Sequence, residues 1–106
     1  MNKSIKILCV CQEGNCRSVG TRYCLRKRGY LNVIAIGWNQ TSIETLKMLC
    51  DWADKILVAK EYHGDKLPTG HSKIDKNFIV GEDKWGNPMH HELHSIINKQ
   101  LDLIGL

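Results

Sequence analysis

The sequence predicts an α/β domain built on a parallel sheet with helices on both faces. Short apolar runs alternate with amphipathic segments four times along the chain. No linker, repeat or low-complexity stretch interrupts the 106 residues. Alternation of strand and helix is typical of parallel sheets covered by helices. We therefore expect a single domain over residues 1–106, with four parallel strands in the order 2-1-3-4.

The predicted strands are short runs of apolar and β-branched residues. They cover residues 5–10, 31–37, 55–59 and 76–80. A nearly continuous apolar run of this length indicates a strand that is covered on both faces.

The predicted helices occupy the segments between these strands and the end of the chain. They cover residues 19–28, 41–53 and 89–104, and part of 60–67. We expect Ser18 to cap the first helix and Gly29 to end it, and Thr41 or Ser42 to cap the second. Ligands of parallel α/β sheets bind beyond the carboxyl ends of the strands, so candidate residues are sought in the loops that follow them.

Composition and charge limit the classes of function. The chain is 42% hydrophobic and 25% charged, which is ordinary for a globular protein. The formal net charge of +4 suits an anionic ligand but is too small to indicate nucleic acid. No apolar run is long enough to cross a membrane, and the N-terminus does not read as a signal peptide. We expect a cytoplasmic protein without a nucleic-acid or membrane partner.

The first predicted strand leads into a loop rich in cysteine, "KILCVCQEGNCRSVG" over residues 6–20. Three interpretations are possible: a metal site, a disulfide framework, or a nucleophile above an anion pocket. An odd total of five cysteines without a secretion signal disfavours disulfides. The absence of a C-x2-C pair, with Arg17 beside the thiols, disfavours zinc. Cys9 is expected in the core, and so are Cys24 and Cys50.

The third interpretation explains the spacing from Cys11 to Arg17. A strand–loop–helix turn can direct backbone N–H groups and the positive end of a helix toward one anion. Arg17 adds a fork that matches two phosphate oxygens, and Ser18 can hydrogen-bond the sulfur of Cys11. The candidate phosphate-binding residues are Gln12, Glu13, Gly14, Asn15, Cys16, Arg17 and Ser18. A thiolate in this setting suits phosphoryl transfer through phosphocysteine, without a metal or an organic cofactor.

The motif "VCQEGNCRS" resembles the phosphate loop of cysteine-dependent protein tyrosine phosphatases, C-x5-R-[ST]. Its place after the first strand is similar to that in the low-molecular-weight branch. The resemblance implies that Cys11 is the nucleophile and that Arg17 binds phosphate. It also implies that Cys16 matches the branch's second loop cysteine, which can form a reversible disulfide with the nucleophile.

The resemblance extends beyond the loop. "AIGWN" (35–39) resembles the family's S-A-G segment, and "WADKILVA" (52–59) resembles its third strand. "DKW" (83–85) resembles the D-P-[YFW] segment with the general acid, which implies Asp83, with Glu82 as the nearest competitor. Trp38 and Trp85 are candidate walls for a substrate ring. The implied substrate is a phosphorylated protein, above all one with phosphotyrosine, or a small phosphate monoester.

Three other functions stay open at this point. A phosphocarrier module similar to the IIB components of sugar phosphotransferase systems also uses a cysteine after its first strand, although its loop lacks an arginine. Arsenate reduction would need a second thiol, which Cys16 could supply. A non-catalytic phosphate-binding domain would tolerate loss of Asp83. The histidines of "MHHELH" and the basic residues 22–28 are expected on solvated helix faces.

Overall fold

A computed structural model describes residues 2–106 of the chain. Its strands are β1 (Ile7–Cys11), β2 (Val33–Gly37) and β3 (Lys55–Val58), and its α-helices are α1 (Arg17–Lys27), α2 (Ile43–Trp52) and α3 (His91–Leu103). Two short 3₁₀ helices, Glu61–Lys66 and His71–Lys73, lie between β3 and α3. Strands and helices alternate up to β3, as the sequence predicts.

Strand β1 is the centre of the sheet. It pairs in parallel with β2, from Ile7 opposite Val33 to Cys11 opposite Gly37. It also pairs in parallel with β3, from Ile7 opposite Lys55. All five residues of β1 are buried, because helices cover both faces of the central strand. The strand order β2-β1-β3 confirms the first three positions of the predicted order.

The predicted fourth strand at residues 76–80 is wrong. The sheet of the described chain has three strands, and beyond β3 there is only a single parallel bridge from Ile74 to Ile56. The cause is a turn just after that bridge. The N–H groups of Asn77 and Phe78 donate to the side chain and to the carbonyl of Asp75, at 3.1 and 3.2 Å. These bonds bend the backbone out of a ladder with β3, so the segment forms a turn followed by irregular backbone.

Each face of the sheet has its own apolar cluster. Helices α1 and α3 pack on one face, and the buried residues that they contribute there include Leu25, Leu93, Ile97 and Leu101. Helix α2 packs on the other face, mainly through Leu46 and Cys50. Helices on both faces are therefore confirmed. No helix within residues 2–106 combines the length and the apolar character that a membrane span requires.

The helix starts agree with the sequence at one of two positions. Ser42 caps α2, since its hydroxyl accepts the N–H of Thr45 at 3.2 Å. The prediction that Ser18 caps α1 is wrong, because α1 begins at Arg17, two residues before the predicted start, and its N-cap residue is Cys16, whose side chain makes no capping hydrogen bond. The hydroxyl of Ser18 is turned toward the sulfur of Cys11 instead, at 3.1 Å.

Candidate active site

The cysteine-rich loop connects the carboxyl end of the central strand to the first turn of α1. Cys11 is the last residue of β1 and Arg17 is the first of α1, and their exposures are only 3% and 5%. A cavity of about 240 Å³ opens above the loop. The residues that line it are Cys11, Gln12, Glu13, Asn15, Arg17 and Asp83. The fold thus brings Asp83 to the cavity from a position 72 residues away in the sequence.

The sulfur of Cys11 has two polar neighbours. The N–H of Gly14 donates to Sγ at 3.2 Å, and the hydroxyl oxygen of Ser18 lies 3.1 Å from Sγ. Both groups can donate a hydrogen bond to the sulfur when it is a thiolate. Gly14 has a φ of +77°, a left-handed conformation that favours glycine at this position of the loop. The loop therefore places two potential hydrogen-bond donors against the sulfur of the nucleophile that the sequence predicts.

The loop is attached to the end of β2. The N–H of Trp38 donates to the carbonyl of Cys11 at 3.0 Å, and the N–H of Asn39 donates to that of Gln12 at 2.9 Å. Between them, Gly14 rests against Gly37. Sequence reasoning did not single out Gly37 as part of the site. The sequence signal that could have indicated it is its position: Gly37 ends the second predicted strand, within the segment that resembles S-A-G.

Arg17 connects the cavity to a distant loop. Its Nη1–H donates to the carbonyl of Gly81 at 2.7 Å. Its Nε–H is buried and has no hydrogen-bond partner among residues 2–106. An unpaired buried donor is costly, so this N–H group is well suited to an anionic oxygen in the cavity.

The two candidate acids are in different environments. Asp83 lines the cavity, and its Oδ1 accepts the N–H of Trp85 at 3.4 Å. Glu82 points away and forms an ion pair with Lys60. Lys60 lowers the pKa of Glu82, which keeps that carboxylate ionised. This geometry favours Asp83 as a proton donor.

Cys16 lies on the Asp83 side of the loop. Burial, with a hydrogen bond to Asp83, raises the pKa of Cys16 to about 11, so its thiol stays protonated near neutral pH. Burial also raises the pKa of Cys9 far above its ordinary value, and it raises that of Cys24. Each of these thiols is a poor nucleophile compared with one that accepts the N–H of Gly14.

The two tryptophans are placed beside the loop rather than in the lining of the cavity. Trp38 packs on the α2 face of the sheet, with the ammonium of Lys66 5.0 Å from its ring centroid. Trp85 packs at the α1–α3 face, and its Nε1–H donates to Glu92 at 3.1 Å. Their role as walls for a substrate ring stays a prediction.

A buried histidine near Arg17 was missed. His63, in the first 3₁₀ helix, has no exposed surface, and its Nδ1 accepts the N–H of Lys60 at 3.3 Å. Burial, together with the charges of Arg17 and Lys60, lowers the pKa of His63 to about 4. A histidine inside the polar stretch "KEYHGDK" gives no sequence signal of burial.

Two histidines of residues 89–94 make hydrogen bonds within the fold. Nδ1 of His90 accepts the N–H of Glu92 at 3.1 Å and so caps α3. His94 lies 2.7 Å from the carbonyl of Pro88 and stacks on Tyr23. Within residues 2–106, no group of three or more His, Cys, Asp or Glu side chains is arranged to hold a metal ion.

Comparison with known proteins gives one informative result. No model of a protein family matches the sequence, and no curated protein matches it. Among solved structures, the chain is similar to the tyrosine phosphatase Wzb from Escherichia coli K30, determined in complex with phosphate. The TM-score is 0.65 at 15% identity, and the match covers 95% of this chain and 96% of that one. The chain therefore has the fold of a low-molecular-weight tyrosine phosphatase, as its loop motif implied.

Proposed function

We propose that the protein hydrolyses phosphate monoesters through a phosphocysteine at Cys11, with phosphotyrosine in proteins as the substrate. The observation that supports this most directly is the set of polar groups around the sulfur of Cys11 at the floor of the cavity. The N–H of Gly14, the hydroxyl of Ser18 and the guanidinium of Arg17 all belong to the same loop and helix start. The fold, shared with a phosphatase that was crystallised with phosphate, supports the same reaction class.

In the first step, the thiolate of Cys11 attacks phosphorus, and the bond from phosphorus to the ester oxygen breaks. Asp83 gives its proton to the departing oxygen, since of the two candidate acids, Asp83 and Glu82, it is the one that lines the cavity. Arg17 binds two of the non-bridging oxygens through its planar fork. The products of this step are a free alcohol or phenol and a phosphorylated Cys11.

In the second step, water attacks the phosphorus of phosphocysteine, and the sulfur–phosphorus bond breaks. The carboxylate of Asp83 takes a proton from the attacking water, and Cys11 leaves as a thiolate. The N–H of Gly14 and the hydroxyl of Ser18 stabilise this leaving group, because both can donate to sulfur. Inorganic phosphate is released, and the starting state of the site is restored.

We also propose that the protein works in the cytoplasm, which is a reducing compartment. All five cysteines are free thiols in the structure, and the mechanism needs Cys11 in its reduced form. The cytoplasm keeps thiols reduced, whereas an oxidising compartment does not.

The test is turnover of nitrophenyl phosphate and of a phosphotyrosine peptide by the purified chain. We expect both to be hydrolysed, with inhibition by orthovanadate. Cys11→Ser should reduce turnover to the background rate, and Arg17→Lys should lower it roughly 10²–10³-fold because an ammonium cannot replace the fork. Cys24→Ala is the matched control, because Cys24 is a buried thiol of α1 that lies outside the cavity. This variant should keep the full rate.

A direct readout of the intermediate completes the test. Acid quenching during turnover of a ³²P-labelled substrate should give label on the peptide that contains Cys11. A chain that binds phosphate but turns over neither substrate would instead be a phosphate-binding domain. Activity that persists in Cys11→Ser would place the nucleophile elsewhere.

A further inference from the structure

Residues 80–83 connect the edge of the sheet to the cavity. The N–H groups of Val80 and Gly81 both donate to the carbonyl of Ala59, at 3.0 Å each. On the other side, the carbonyl of Gly81 accepts the Nη1–H of Arg17 at 2.7 Å. The same residue, Gly81, therefore contacts both Ala59, which directly follows β3, and the guanidinium above the loop.

A second attachment lies one residue further along. Glu82 forms an ion pair with Lys60, which directly follows Ala59 in the sequence. The N–H of Lys60 is itself fixed on Nδ1 of His63. Thus Ala59 and Lys60 together hold three consecutive residues, 80–82, of the segment.

The residue that follows these attachments is Asp83, which lines the cavity. Since Arg17 also lines the cavity, its guanidinium touches the anion site with one part and the segment that carries the proton donor with another. The segment has no helix or strand of its own to fix it, so these contacts, together with the bonds of Asp83 to Trp85 and Cys16, position the carboxyl group of Asp83.

We propose that Gly81 and Glu82 are positioning residues for the reaction: Gly81 through Arg17, and Glu82 through Lys60, hold the proton donor Asp83 over the phosphate site. The inference rests on the proposed function and extends it to residues that touch no substrate. It assigns Arg17 a second role, as the contact that sets the distance between the anion and the acid.

Gly81 allows a selective test. Its φ is +101°, a conformation that side-chain-bearing residues rarely adopt, and a Cβ added there would meet nothing within 4 Å. Gly81→Ala therefore changes the direction of the carbonyl without creating a clash. Gly29 is a matched control, because its φ is +96° and its surroundings are equally open. It follows the carboxyl end of α1, about 18 Å along the helix axis from Arg17.

The experiment compares kcat/KM of Gly81→Ala and Gly29→Ala on two esters, phenyl phosphate and nitrophenyl phosphate. A phenyl leaving group needs protonation more than a nitrophenyl group does. We expect a similar fall in melting temperature for both variants. Gly81→Ala should lose on the order of 10–100-fold on phenyl phosphate and much less on nitrophenyl phosphate, while Gly29→Ala keeps both rates. Equal losses on the two esters, or none, would overturn the role of Gly81.

The ion pair is tested by exchange of its charges. Lys60→Glu and Glu82→Lys should each lower the phenyl phosphate rate about twofold to fivefold, as expected for an exposed pair. The double variant should recover most of that loss. Without recovery, Glu82 has no positioning role through Lys60.

Failure of this inference differs from failure of the proposed function. If the unsubstituted chain hydrolyses neither ester, both the reaction and the roles assigned to Gly81 and Glu82 are wrong. If it hydrolyses both esters and Gly81→Ala behaves like Gly29→Ala, only the positioning role is wrong.

Discussion

Gly14 and Gly37 lie backbone against backbone. A Cβ on Gly14 would stand 2.3 Å from the amide nitrogen of Gly37, and a Cβ on Gly37 would stand 2.1 Å from the carbonyl carbon of Glu13. Cβ atoms do not approach backbone atoms this closely in proteins. The end of β2 is therefore a platform on which the phosphate loop rests. The two backbones can approach this closely only because Gly14 and Gly37 have no side chains.

This contact predicts a severe effect for Gly37→Ala. The added methyl must push the loop away from β2, which moves the N–H of Gly14 relative to Cys11. A displacement of about 1 Å at a reacting group can cost 10²-fold in rate, so we expect at least that loss on nitrophenyl phosphate. Gly86→Ala is the control, since its Cβ would meet nothing within 4 Å. A rate for Gly37→Ala close to that of the control would contradict the platform.

Asp83→Asn tests the proton donor. The amide cannot protonate a leaving group, so we expect a loss of roughly 10²–10⁴-fold on phenyl phosphate. The loss should shrink on nitrophenyl phosphate, whose phenolate leaves without much help. Steady-state rates on both esters measure this, and Glu82→Gln, which breaks the ion pair with Lys60, should lose no more than the few-fold expected for that pair. The assignment of the acid would shift by one residue if Glu82→Gln, rather than Asp83→Asn, showed the large leaving-group dependence.

Mild oxidation is expected to inactivate the protein reversibly through a Cys11–Cys16 disulfide. Peroxide converts the thiolate of Cys11 to a sulfenic acid, and the thiol of Cys16 then displaces water to form the bond. Peptide mapping with and without reductant detects the pair, and reductant should restore the rate. In Cys16→Ser, the same treatment should give irreversible sulfinic or sulfonic acid at Cys11. Finding those acids in the unsubstituted chain, with Cys16 still free, would argue against the pairing.

His63 predicts a specific dependence of stability on pH. The unfolded chain takes up a proton at this side chain near pH 6.5, but the folded protein does so only near pH 4. The unfolded state therefore binds more protons between these values, and stability falls as the pH falls from about 6.5 to about 4. The difference between the two pKa values corresponds to about 3 kcal/mol. Above pH 6.5 the contribution of His63 is complete.

The measurement is urea unfolding at pH 7.5, 6 and 5 on the unsubstituted chain and on His63→Asn, whose amide oxygen can replace Nδ1 as acceptor for Lys60. The variant is expected to be less stable at pH 7.5, because a smaller side chain leaves a void, but its stability should depend less on pH over this range. Parallel pH dependences in the two proteins would show that another group is responsible.

Much of the fold was predictable because its signals are local. Strand β1 is a continuous apolar run, and Ser42 caps α2 at the position that its spacing to Thr45 indicates. The fourth strand was predicted wrongly for a related reason. The run "KNFIV" has the composition of a strand, but the turn at Asp75 depends on hydrogen bonds that composition does not describe.

The residues of the candidate site likewise fall into a group that is local in the sequence and a group that is not. Cys11, Arg17 and Ser18 lie within eight consecutive residues, so their proximity could be predicted from the loop alone. Gly37 and Gly81 reach the site only through the fold, each by a contact with a residue far away in the sequence, and the fold likewise brings His63 near Arg17. A sequence pattern does not state that a glycine faces another backbone or that a carbonyl meets a guanidinium.

The irregular segment after β3 affects how the protein behaves when it is concentrated. An unpaired strand edge offers free N–H and C=O groups that can recruit strands from other molecules into growing aggregates. Here residues 74–81 bond to the outer edge of β3 at Ile56 and Ala59, while their own turn prevents them from forming a flat new edge. We expect this segment, which is too bent to serve as a template, to hinder such pairing at this side of the sheet.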